Sequence, residues 1–135
     1  MKKFLLKGFL AGAALLVFSY LALYLIVTFV PAVAEEYYNP IFDMGGDKTI
    51  LYFLHPFILS FALAWFWRRF KTLFHGSFLV RGIELGLVYT VVAVLPSMWI
   101  TFSAMAVSFP MVLSWLGYGL FQAVVVGVIY AKISP

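Results

Sequence analysis

The sequence contains no cysteine. That excludes disulfides, thiolate metal sites and a cysteine nucleophile. Charge is also scarce. Asp, Glu, Lys and Arg make up 10% of the residues, against about a quarter in an ordinary soluble domain. The centres of the long apolar runs carry no Asp, Glu, Lys or Arg at all. A coupled cation or multidrug exchanger generally needs an embedded charge, so this argues against one. G-x-S-x-G, P-loop and H-E-x-x-H patterns are missing, as is a paired-acid site. No catalytic residue, metal site or cofactor is therefore expected.

What is abundant is apolar surface. Hydrophobic residues are 65% of the 135, and the mean hydropathy is +1.07. A water-soluble fold of this length could not hide so much, so lipid must be the solvent for most of it. Four continuous runs approach the ~20 residues needed to cross a bilayer. They cover about 8–30, 49–67, 82–103 and 110–131. Continuous runs favour helices over barrel strands, whose apolar residues alternate. The expected fold is an all-α integral membrane domain, an antiparallel bundle of four transmembrane helices.

Orientation follows from the basic residues. Lys2, Lys3, Lys7, Arg68, Arg69, Lys71, Arg81 and Lys132 fall at one set of span ends, and only Lys48 at the other. The positive-inside rule then places both termini and the 68–81 connection in the cytoplasm, and loop 31–48 outside. That outer loop carries Glu35, Glu36, Asp43 and Asp47, with turn signals at Asn39-Pro40 and Gly45-Gly46-Asp47. Ala32-Val33-Ala34 has the small-x-small form of a signal-peptidase site. However, the apolar run Phe9–Val30 spans 22 residues, longer than the usual signal core of about 7–15. A retained first helix is expected. The setting expected is a multi-pass protein of a bacterial cytoplasmic membrane.

The cytoplasmic connection interleaves Phe70, Leu73, Phe74 and Phe78 with Arg69, Lys71 and His75. That composition suits an interfacial segment on anionic lipid head groups, with its turn at Gly76-Ser77. The same basic residues are explained by topology, so nucleic acid is not an expected partner. One internal echo stands out. Phe4–Gly12 and Phe78–Gly86 both read F-L-apolar-basic-G-x-x-x-G, which is consistent with a weak repeat of two helical hairpins.

Small residues form stripes at helical spacing: Gly8 and Gly12, Gly82 and Gly86, and Gly119, Ala123 and Gly127. In lipid, helices associate by close packing over such residues. These are expected packing faces, and a second small-residue face would imply a homo-oligomer or a protein partner. Arg81 and Glu84, three apart at a helix start, are expected to pair.

His55 lies within span two, directly before Pro56. An ionisable residue in a span is a functional hypothesis by default. Glu35 or Glu36 is positioned in sequence to approach it. Tyr20, Tyr24, Ser97, Trp99, Trp115, Tyr118 and Gln122 fall in the same outer half. Together they suit a cavity for an amphipathic, lipid- or quinone-like ligand, or a filled bundle whose Trp and Tyr tips satisfy one another. Three function classes follow: an interaction or accessory subunit, a binding or transport bundle around His55, and a membrane enzyme using His55 with Glu35 or Glu36. The lack of any catalytic or charge-translocating motif favours the first.

Overall fold

The computed structural model of the protein describes residues 2–42 and 45–135, apart from the side chains at 45 and 47. The expected loop acid Asp43 lies outside the described residues, as does the Asp47 side chain. Among the described residues the chain is all-helical, without strands. Helix α1 spans Lys2–Phe29, α2 Pro31–Glu36, α3 Gly45–Phe70, α4 Phe78–Tyr89, α5 Leu95–Ala104 and α6 Phe109–Ile133. Helices α4 and α5 are joined through Thr90–Val94 into one rod. Counted that way, four helices are long and apolar enough to cross a membrane.

Local chemistry explains where the helices break. Pro31 has no N–H to extend α1, so the chain is interrupted at Val30 and α2 starts with proline at its first position. The Ala32-Val33-Ala34 triplet is folded into α2, with Val33 buried. Asn39 makes the next turn, its side-chain oxygen accepting the Ile41 amide at 3.1 Å. Gly45 and Gly46, expected as a turn, are instead the first residues of α3. In a first turn the N–H groups lack helical partners anyway, so glycine weakens little there. Gly76 has φ +97°, the left-handed conformation glycine adopts without strain, and Ser77 then caps α4 by accepting the Val80 amide. Ser108 caps α6 in the same way, accepting from Met111 at 3.2 Å.

Thr90–Val94 forms a π turn that ends two residues before Pro96. Proline cannot donate to the carbonyl four residues back, and a π turn accommodates the irregularity. Hydroxyls stitch this stretch to its own backbone: Thr90 donates to Gly86, Ser97 to Ala93 and Thr101 to Ser97, all within 2.8 Å.

Helix α1 packs chiefly along α3, and α4 chiefly along α6. Helix α6 also touches α1 and α3, so it joins the two pairs. The core is built from Ala11 and Leu15, Leu59, Leu63 and Trp67, Leu85, and Val126 and Tyr130. One end of the molecule gathers Lys7, Lys71 and Arg81. Lys7 donates to the Ile133 carbonyl at 2.6 Å, and Arg81 to that of Lys71 at 3.2 Å. We call this the basic end. Glu36, Tyr37 and Trp115 mark the acidic end.

Candidate functional site

The residues singled out by sequence divide into separate groups in the structure. Tyr20, His55 and Tyr118 converge, and Ser19 and Tyr52 complete their cleft between α1, α3 and α6. Ser19 donates to the Leu15 carbonyl at 2.7 Å, and the Tyr118 hydroxyl donates to Ser19. Tyr20 stacks on Phe53 with centroids 6.1 Å apart. The cleft is small, about 60 Å³, which is room for about two waters at their liquid volume.

Trp115 and Tyr118 line an adjoining cleft of about 50 Å³ with Tyr37. The Trp115 indole N–H donates to the Tyr37 hydroxyl, and Phe42 packs edge-on against Trp115 at 6.0 Å. Burial pushes the Tyr37 phenol up from its ordinary pKa, so it stays neutral. Glu36 accepts both the Ser108 amide, at 2.8 Å, and the Ser108 hydroxyl. These bonds hold its carboxyl below its usual pKa, hydroxyl first and amide second. Glu36 is thereby fixed at the start of α6, where the helix dipole also favours an anion. Glu35 is exposed. No hydrogen bond among the described residues links Glu35 or Glu36 to His55, and both Glu36 oxygens are engaged by Ser108.

Ser97 and Trp99 line neither cleft. Ser97 is exposed, and Trp99, 77% exposed, lines an apolar groove of about 440 Å³ between α5 and α6 with Phe102 and Phe109. Helix α5 packs against α6 rather than along α1 and α3, which with α6 wall the His55 cleft, and the π turn shifts its register besides. One residue inserted into helical register turns everything after it by about 100°, so regular spacing misplaces the residues beyond Val94. Tyr24 is exposed, its carbonyl accepting the Thr28 hydroxyl. Gln122 is buried, 3% exposed, and its Nε2 has no hydrogen-bond partner among the described residues. Among the described residues no cluster of His, Asp and Glu is arranged to hold a metal.

The glycine stripes are closed inside the molecule. A Cβ on Gly8 would meet the Phe61 ring at 2.3 Å, and one on Gly12 the Phe57 ring at 2.5 Å. On the other pair, Gly82 faces the Val128 backbone at 2.5 Å and Gly86 the Val124 side chain at 2.3 Å. Thus each G-x-x-x-G seats two residues four apart on the following long helix. Gly127 abuts the Gly82 carbonyl, Gly119 abuts Val94, and Ala123 is fully buried.

Arg81 is engaged away from Glu84. Its guanidinium lies over Trp67 at 5.0 Å and donates to the Lys71 carbonyl. Its Nε and Glu84 Oε2 are both buried without a hydrogen-bond partner among the described residues. A sequence reading had no reason to select Ser60 and Tyr130. Ser60 donates to the Gly8 carbonyl at 2.7 Å and shares a 2.8 Å hydrogen bond with the Tyr130 hydroxyl, all buried. Ser60 carried no signal beyond a hydroxyl in an apolar run, and Tyr130 only that of an aromatic near a span end. No protein-family model, curated protein or solved structure matches the chain.

Proposed function

We propose that the chain is a multi-pass membrane protein that works by contact with another membrane-spanning chain, as an accessory subunit or as copies of itself. In this reading it is an antiparallel four-helix bundle whose basic end and termini face the cytoplasm. The positive-inside asymmetry supports that orientation. The observation that carries the contact reading is Gly117. Six other glycines within the long helices are covered, whereas among the described residues a Cβ on Gly117 would meet nothing within 4 Å; Gly46 is likewise open but lies in the first turn of α3. Gly117 lies with Ala22 and Ser114 in an open groove of about 320 Å³ between α1 and α6, walled by Phe18 and Phe121. Small residues flanked by aromatic walls suit close approach of another helix in lipid.

The chain lacks cysteine, so single-cysteine cross-linking in native membranes gives a clean test. Gly117→Cys is expected to cross-link, to its own copy or to a different chain of definite mass. Filling the groove with Ser114→Phe is expected to abolish that product. Val92→Cys, at a residue 71% exposed on another helix, is the control. If Gly117→Cys cross-links no better than Val92→Cys, the contact reading fails. His55→Ala is expected to leave association intact.

A second reading, binding of an amphipathic ligand beside His55, draws on the convergence of Tyr20, His55 and Tyr118. Its weakness is room, since about 60 Å³ falls well below the ~300 Å³ of ordinary small-molecule pockets. It predicts ligand loss on His55→Ala. An acid–base pair of His55 with Glu36 finds no support, because Ser108 engages both carboxyl oxygens.

A further inference from the structure

At the basic end, α1, α3 and α6 frame a cleft of about 450 Å³. Four cations line it, Lys3, Lys7, Arg68 and Lys71, over a floor that includes Trp67 and Tyr130. Its volume lies in the ordinary small-ligand range of about 300–1,000 Å³. Two of the cations are held in place. Lys7 donates to the Ile133 carbonyl at 2.6 Å and Lys71 to the Pro135 carbonyl at 2.5 Å. An ammonium has three donors, so each keeps two for a ligand.

The floor's own polar groups are already engaged. The Trp67 indole N–H donates to the Ser134 carbonyl at 2.9 Å, and the Tyr130 hydroxyl is bonded to Ser60. The cations therefore supply the free donors. Acid to neutralise them is scarce: beyond Asp47 the sequence holds only Glu84, and it does not line the cleft. Among the described residues no acidic side chain lines the cleft and the Pro135 backbone oxygen engages Lys71 alone, so the four cations repel one another and a multiply oxygenated anion relieves that repulsion. Lysine suits phosphate as a point charge and arginine as a planar fork. Arg69, next in sequence, is directed elsewhere, over Trp65 at 5.7 Å. The cations are thus gathered by the packing of three helices rather than by the basic run alone.

We propose that this cleft binds a phosphate monoester or diester anion, with Lys3, Lys7, Arg68 and Lys71 as its ligands. Such a group arrives either as the head group of an anionic phospholipid or as a soluble phosphate. The apolar floor at the start of the spans favours the lipid, whose acyl chains continue along the helices. This proposal does not depend on the helix-contact reading.

The test is native mass spectrometry of the full chain in a neutral detergent, titrated with short-chain phosphatidylglycerol. Phosphatidylcholine of equal chain length is the comparison, and inorganic phosphate is the competitor. Phosphatidylglycerol is expected to be retained in preference to phosphatidylcholine. Lys7→Gln with Lys71→Gln is expected to weaken retention by about tenfold or more, the scale of losing a charge-assisted hydrogen bond. Arg69→Gln is expected to leave it within about twofold, as for an exposed charge that does not line the cleft. Where the lysine variant fails to fold, Lys3→Gln with Arg68→Gln tests the same cleft. Neither of those side chains makes a hydrogen bond among the described residues.

Retention that resists excess inorganic phosphate assigns the site to lipid. Saturable phosphate binding without lipid preference, lost in the same variants, assigns it to a soluble phosphate. Equal retention of both lipids with no phosphate binding overturns the proposal. So does a folded cleft variant that binds like the unmodified chain.

Discussion

Gly82→Ala is the sharpest test of how the two helix pairs are held. The added Cβ would sit 2.5 Å from the Val128 amide nitrogen and 2.7 Å from its Cα. Ordinary contact begins near 3.4 Å, so α4 and α6 must part by about 0.9 Å (3.4 less 2.5), because backbone cannot rotate away. Overpacking of this kind costs about 1–3 kcal/mol. Alanine returns up to about 1 kcal/mol of helix propensity. The net expectation is a loss of about 1–2 kcal/mol.

Gly117→Ala is the internal control. Its Cβ meets nothing, so only the propensity gain remains, and the substitution is expected to be neutral or stabilising by up to about 1 kcal/mol. Gly8→Ala is expected to fall between them, because its obstacle is the Phe61 ring, a side chain with some freedom to turn. Reversible unfolding in mixed micelles, following helix loss against denaturing detergent, measures all three. Equal stability of Gly82→Ala and Gly117→Ala would refute the close-approach argument.

Other consequences can be checked separately. Tyr130→Phe and Ser60→Ala each remove part of a buried hydroxyl pair, and each is expected to cost about 0.5–2 kcal/mol, the range of interhelical hydrogen bonds in lipid. A double-mutant cycle in the same micelles should show coupling, and strict additivity would mean the two hydroxyls act independently. Glu36 has a lowered pKa in the fold through its two bonds from Ser108. Its contribution is therefore present above the unfolded carboxylate pKa and lost as pH falls through the lower folded value. The protection factor of the Ser108 amide, that is, its exchange rate corrected for the intrinsic pH dependence of amide exchange, should then fall on acidification, and Glu36→Gln should remove most of that pH dependence. Phe42→Ala is expected to loosen the Tyr37–Trp115 contact without unfolding the spans, read as faster exchange confined to residues near Tyr37.

Much of the architecture was written along the chain. Long apolar runs, their basic flanks and the Gly76-Ser77 turn each act locally, so spacing alone is informative. The two G-x-x-x-G motifs announced close packing, because only small residues let backbones approach in lipid. Their opposing residues, Phe57 and Phe61 or Val124 and Val128, were not legible. Any residue pair four apart on any helix fits the same pattern.

Tertiary structure decided the rest. It divided the aromatic residues between separate clefts, since α5 packs against α6 while α1, α3 and α6 wall the His55 cleft, and no local motif fixes that arrangement. It turned Arg81 from Glu84 toward Trp67 and Lys71, because an aromatic face and a carbonyl from another helix outweighed the neighbour three residues on. It also brought Lys3 and Lys7 beside Arg68 and Lys71, residues that lie some sixty positions apart in sequence. Membrane solvation selects helices and spans from composition. Which side chains meet depends on how the finished helices pack, and that is a property of the whole bundle.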